Sequence, residues 1–224
     1  MPDKTKITLS TKELELVSNK EWILTKRVII EKVCRLFATL ASSMQQYTLD
    51  NAGMLPDEVG VINPKISKGE NYLQLPYVML DYPRYFTRAD TMAIRTFFWW
   101  GNFFSITLQL SGMYKERAMP LLVNKLYELQ KKGYSLCIGK DPWHHHFETD
   151  NYVAISRLTV AEFTAILNCT PFIKMAKQIN LQQWDVAGAF IENHFIEIVK
   201  LLDFNFPNDE RGLSPGIPIT GFDL

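Results

Sequence analysis

Asp141, His144, His145, His146 and Glu148 fall within eight residues of one another. Imidazole and carboxylate are the ligands that zinc and other first-row divalent ions prefer. In an extended segment His144, His146 and Glu148 project to one side and His145 to the other, because side chains alternate. His194, the one remaining histidine, could supply a fourth ligand. Such a set implies a divalent transition metal that activates water, and so a metal-dependent hydrolase using the 144–148 loop. The spacing matches neither the HExxH of metalloproteases nor a paired zinc motif. The competing reading is a surface turn in which Trp143 and the histidines are solvated. His194 has its own plain alternative. It shares a helical arc with Phe190, Ile191, Phe195 and Ile198, where a packed histidine bonded to Glu197 is expected.

A second candidate site lies on a β-hairpin. The sequence AIRTFFWW–GN–FFSITLQL places two strands around Gly101-Asn102, and Gly in the first turn position suits a two-residue type II′ turn. In that register Trp100 faces Phe103 and Trp99 faces Phe104. One face then carries Phe97, Trp99, Phe104, Ile106, Leu108 and Leu110, with Arg95 as the exception. The other carries Thr96, Phe98, Trp100, Phe103, Ser105, Thr107 and Gln109. Mixed aromatic and hydrogen-bonding surfaces suit flat organic ligands. The preceding YVMLDYPRYF adds Tyr82 and Arg84, and an arginine is suited to anchor a carboxylate or phosphate. The candidate ligand-binding residues are therefore Tyr82, Arg84, Phe98, Trp100, Phe103 and Gln109. The opposing expectation is that N-terminal helices cover this face, since Phe98, Trp100 and Phe103 are large enough to need cover. Arg95, set among apolar neighbours, requires a partner, with Asp81 the nearest candidate.

Other chemistries lack their signatures. No GxSxG elbow, GxGxxG loop or P-loop occurs. Cys137 lies in SLCIG, which reads as a buried strand more than an exposed nucleophile. Lys plus Arg and Asp plus Glu number 24 each, for zero formal net charge. Nucleic-acid binding calls for a basic excess or stripe, so none is expected. Zero net charge favours self-association, which makes a homodimer a candidate. Cys34, Cys137 and Cys169 show no paired spacing, as in a reducing, cytoplasmic setting. The N-terminal MPDKTKITLSTKELEL lacks a signal-peptide apolar core, and no run of about 18 uncharged apolar residues occurs to span a membrane.

Several elements must position these residues. Ser10 with Glu13 forms a capping box, with Leu9 and Leu14 as its staple, and Ser18 with Glu21 follows as a second box. Ile30, Val33, Phe37, Leu40, Ala41 and Met44 mark one apolar helical face. Gly53, Pro56, Gly60, Pro64 and Gly69 suggest a loop between 48 and 70. A strand is expected from Tyr72 to Tyr82, with Pro76 implying an edge or a bulge. Pro120 and Lys131-Lys132-Gly133 bracket a helix. Short strands are expected at Tyr134 and Tyr152, a capping box at Thr159 and Glu162, a helix opened by Thr170-Pro171, and a last helix over 185–202. Clustered strands between groups of helices predict an α+β fold, with a largely antiparallel sheet around the 94–110 hairpin and N- and C-terminal helices packed on it. One globular domain over 1–224 is expected, with a helical N-terminal part over 1–50 and an irregular tail over 204–224. The two functional expectations are a non-catalytic small-molecule-binding or protein-interaction domain using the aromatic face, and the metal-dependent hydrolase.

Overall fold

Among the described residues, seven antiparallel strands form one sheet, in the order β1 (Lys65–Tyr72), β2 (Leu75–Phe86), β3 (Thr91–Trp99), β4 (Phe103–Ser111), β7 (Phe172–Asn180), β5 (Ser135–Cys137), β6 (Tyr152–Ala154). The structure, a computed structural model, describes residues 7–202; the tail expected over 204–224 lies outside them. The helices are α1 (Thr11–Ser18), α2 (Lys20–Asp50), α3 (Asp57–Gly60), α4 (Met113–Asn124), α5 (Leu126–Lys132), α6 (Val160–Cys169) and α7 (Trp184–Leu202). This is the expected α+β architecture. The long helices α2 and α7 pack against each other and onto one face of the sheet, with α3 on β2 and α4 on β4 beside them. A continuous apolar cluster runs from Val33 of α2 through the strands to Leu202 of α7. Val33, Phe37, Leu40 and Met44 of α2 belong to that shared core.

The expected helix signals hold at several points. The Ser10 hydroxyl caps the Glu13 amide, and the Glu13 carboxylate accepts from the Ser10 amide at 2.7 Å. The chain breaks where two helices were expected, but Asn19 caps α2 in place of Ser18, its side chain accepting from the Trp22 amide at 3.1 Å. The Thr159–Glu162 box opens α6, and Gly133, at φ 72°, closes α5 in the left-handed conformation that glycine tolerates.

Four expectations need correction. Residues 65–72 form strand β1, not loop. It is a polar edge strand held by main-chain pairing to β2, so it carries no apolar alternation. Leu73 and Gln74 make its tight turn at φ 47° and 67° without the usual Asn-Gly signal. Pro76 lies beside the β1–β2 register shift in a strand paired on both sides, so the bulge and not the edge explains it. The α4 helix starts at Met113 and carries Pro120 inside. The fourth change matters most. Thr170-Pro171 opens β7, not a helix, and β7 is central. Its Ile173, Met175 and Ile179 join the helix-side core while Phe172 and Ala176 face the other way.

The hairpin register also moves by one residue. Trp99 pairs with Phe103 and Phe98 with Phe104, so the turn contains Trp100, Gly101 and Asn102, with Gly101 at φ 73°. A one-residue slip exchanges the faces of one strand relative to the other. Met92, Ile94, Phe98, Phe104, Ile106 and Leu108 now meet the helices. Arg95, Phe97, Trp99, Phe103, Ser105, Thr107 and Gln109 face the opposite side. The β2–β3 pairing sets Arg95 opposite Asp81, which gives this buried cation its partner.

Candidate functional site

The face turned from the helices is roofed by the irregular segment 138–151 between β5 and β6. Asn151 folds that segment. Its amide nitrogen donates to the His146 carbonyl at 2.6 Å and the His144 carbonyl at 3.3 Å, while its side-chain oxygen accepts from the Cys137 thiol at 3.4 Å. Gly139 is needed here, since a Cβ would lie 2.5 Å from that oxygen. Tyr72, from the edge strand, reaches under the roof. Its hydroxyl accepts from the His145 amide at 2.6 Å and the His146 amide at 3.1 Å, and it lies 3.1 Å from His146 Nδ1, which can take its proton.

Beneath the roof lies a buried set of charged and polar groups. Arg95 makes a two-pronged contact with Asp81, Nε to Oδ1 at 2.7 Å and Nη2 to Oδ2 at 3.0 Å, as the sequence led us to expect. Its Nη1 lies 3.3 Å from His145 Nε2. A guanidinium only donates, so Nε2 accepts and His145 is the neutral Nδ1–H tautomer. Burial, and the nearby Lys174 and Arg95 cations, push the His145 imidazole well below its ordinary range. Lys174 is 1% exposed. Its ammonium donates to the Pro142 carbonyl at 2.9 Å and to the His144 carbonyl. Burial lowers its pKa to about 7. Burial raises the Cys137 thiol and the Tyr152 hydroxyl. Among the described residues no buried side-chain nitrogen or oxygen lacks a partner. The set is therefore a closed network.

His145 and His146 are both buried, His146 against the Tyr72 hydroxyl, while His144 is exposed; the His144 and His146 rings lie 5.2 Å apart. His144 pairs with Asp141 at 3.4 Å and His146 with Asp150 at 3.5 Å. Glu148 departs to a neighbouring cleft. His194 bonds Glu197 at 2.7 Å and packs on Tyr134 and Phe190 in the helical layer. Among the described residues no three His, Cys, Asp or Glu side chains gather as a metal-binding group. The structure does not bring His144, His146, Glu148 and His194 together: the first two lie in the roof, Glu148 lines the cleft, and His194 bonds Glu197 on α7.

The six aromatic-face candidates also separate. Tyr82 and Phe98 lie in the helix-side core, Phe98 edge-on to Trp184 of α7 at 6.3 Å. Arg84 donates to the Asn63 carbonyl at 2.9 Å. Trp100 sits in the turn, beside a small cleft of about 290 Å³ that also touches Trp22 and Glu70. Phe103 and Gln109 share the roofed face, but Gln109 is buried. The register shift is what puts Phe98 on the opposite face from Phe103 and Gln109.

What the fold builds instead is a cleft of about 530 Å³ at the turn end of the roofed face. Trp99, Phe103 and Phe147 supply its aromatic surface, with Phe147 edge-on to Phe103 at 5.2 Å and stacked on Tyr152 at 4.6 Å. Asn102, Gln178, Asn180 and Gln183 add four carboxamides, and Glu148 adds one carboxylate. None of the lining residues is basic. Only Phe103 and Glu148 were among the sequence candidates. Gln178 and Asn180 were hidden by the reading of β7 as a helix; the alternation of Ile173 and Met175 with Lys174 and Ala176 is the signal that could have found them. Compared with protein-family models, with curated proteins and with solved structures, the chain matches none.

Proposed function

We propose that the chain is a non-catalytic binding module that takes an uncharged, flat small molecule in the cleft at the hairpin turn. The observation that carries this reading is the composition of the lining: aromatic rings beside four carboxamides, with one carboxylate and no cation. Each carboxamide both donates and accepts, which suits amide or hydroxyl groups on a ring. The absence of a basic lining residue disfavours phosphate and carboxylate ligands. The volume lies within the range of small-molecule sites, about 300–1,000 Å³. The groups best suited to chemistry, Lys174, His145 and Cys137, do not line the cleft and serve the network under the roof.

The test is a thermal-shift and calorimetric screen of free nucleosides, neutral monosaccharides and dipeptide amides, with their phosphorylated or carboxylated analogues beside them. A ligand that binds only the folded state raises the melting temperature in proportion to its occupancy. We expect neutral members to do so, and Gln178→Ala to remove the effect while leaving the unliganded melting temperature unchanged. Preference for the anionic analogues, or a response insensitive to Gln178→Ala, would refute the assignment.

A further inference from the structure

We infer that the N-terminal helical arm, residues 7–28, docks against the same arm of a second copy of this chain. The arm meets the sheet at the Lys26–Glu70 ion pair and is otherwise largely exposed. None of the residues of α1 is buried, and the first buried residue of α2 is Val33. Lys20–Lys32 thus extends about 20 Å of helix, at 1.5 Å per residue, before reaching the shared core. Yet the arm is not polar. Ile7 is 99% exposed, Val17 71% and Trp22 49%, and Leu14, Leu24 and Val28 are exposed with them. Scattered exposed apolar residues are ordinary, but so many on one short segment mark an interaction surface. The 22 residues from 7 to 28 match the roughly 20–30 residues that each partner contributes to a specific interface.

Charge identifies the occupant. Residues 11–21 hold three acidic side chains, Glu13, Glu15 and Glu21, against Lys12 and Lys20. Residues 26–35 hold four basic ones, Lys26, Arg27, Lys32 and Arg35, against Glu31; Lys26 pairs with Glu70 of β1, which leaves Arg27, Lys32 and Arg35 for a partner. A two-fold antiparallel arrangement lays the acidic stretch of each copy along the basic stretch of the other, twice by symmetry. Zero net charge leaves no overall repulsion between copies. The small cleft between the arm and the β1–β2 turn, lined by Trp22, Leu75, Pro76 and Trp100, offers a seat for an apolar side chain of the partner.

Sedimentation equilibrium of the full chain tests this. We expect a concentration-dependent dimer, and Leu24→Asp, an exposed substitution that leaves the core intact, to raise its dissociation constant by about thirtyfold or more, the loss typical of a central apolar anchor. Two charge-reversed chains sharpen it, one carrying Glu15→Lys and Glu21→Lys, the other Arg27→Glu and Lys32→Glu. Each alone should dimerise more weakly, and an equimolar mixture should associate more tightly than either. A wild-type chain monomeric throughout, a dimer indifferent to Leu24→Asp, or an arm that instead binds phospholipid vesicles while the chain stays monomeric, would overturn the inference.

Discussion

The two faces of the sheet are built from the same strands and are buried by opposite means. The helix-side face is aliphatic and aromatic, and two long helices cover it. The other face carries Asp81, Arg95 and Lys174 beneath a segment without regular structure, which contributes His145. Apolar surfaces need only volume and shape, so helices crossing at a few angles can cover them. Buried charges need partners at fixed positions, and the carbonyls and amides of an irregular loop supply them: Pro142 and His144 to Lys174, and the His145 and His146 amides to Tyr72. The roofed face is thus tied down by hydrogen bonds, and it opens at the turn end into the aromatic and carboxamide cleft.

The difference is most exposed by substitutions at the centre of each face. Phe104→Ala, which opens a cavity under α2 and α7, should cost about 3–5 kcal/mol. Arg95→Met should cost a similar amount, about 3–5 kcal/mol, because it leaves the Asp81 carboxylate buried and unpaired. The faces should then part company. The double change Asp81→Leu with Arg95→Met should recover most of the loss, since no buried charge remains, whereas no single partner change restores Phe104→Ala. Urea unfolding of the three variants measures this. A double variant no better than Arg95→Met would mean that the ion pair is worth more than the charges it neutralises.

The pH dependence separates the faces next. The Lys174 ammonium has an ordinary pKa of 10.5 and a folded one of about 7. Between these values the unfolded chain holds a proton that the folded chain has released, so stability should climb as pH rises from about 7, by at most about 1.4 kcal/mol per unit. The climb should level off above about pH 9, where the unfolded Cys137 thiol ionises at its ordinary value of 9.0 while burial keeps the folded thiol protonated, an opposite slope that offsets the lysine's. Lys174→Met should flatten the rise. A profile unchanged in that variant would show that the carbonyls of Pro142 and His144 keep the folded ammonium charged.

A smaller effect lies on the acid side. Burial lowers both His145 on the roofed face and His194 on the helical face. Below their ordinary value of 6.5 the unfolded chain takes up protons that the folded chain resists, so stability should fall as pH drops through that range. His194 also has the Glu197 carboxylate, which favours its charged form; His145 faces only cations and neighbouring histidines. His145→Gln should therefore remove more of the acid sensitivity than His194→Gln, as chemical unfolding at pH 5 and pH 7 would reveal. Equal effects would erase the distinction between the faces. Least in stability, but decisive for binding, Phe147→Ala should cost about 1 kcal/mol or less, as expected for a partly exposed side chain, while abolishing ligand response at the cleft.

Much of the helical layer was legible in the sequence, because apolar spacing and caps act locally. The 33–44 stripe, the Ser10–Glu13 and Thr159–Glu162 boxes and the last helix all followed from nearby residues. The Arg95–Asp81 pair was legible for a different reason: a cation among apolar residues must find a carboxylate. The site was largely hidden. One residue more in the hairpin turn exchanged the partners of Phe98 and Trp99, and nothing within the turn alone distinguishes the two lengths. The β1–β2 turn uses Leu73 and Gln74 at positive φ, which their residue types do not signal. The roof over the charged face is defined by contacts between residues as distant as Tyr72 and His145, which no local pattern encodes.

The most direct test of the cleft is an NMR titration of the side-chain amide resonances of Asn102, Gln178, Asn180 and Gln183 with the neutral compound that most raises the melting temperature. We expect saturable shifts in these four, with Asn63 and Gln130, distant from the cleft, unmoved. Shifts confined to other residues, or none in the four at a saturating concentration, would contradict the account.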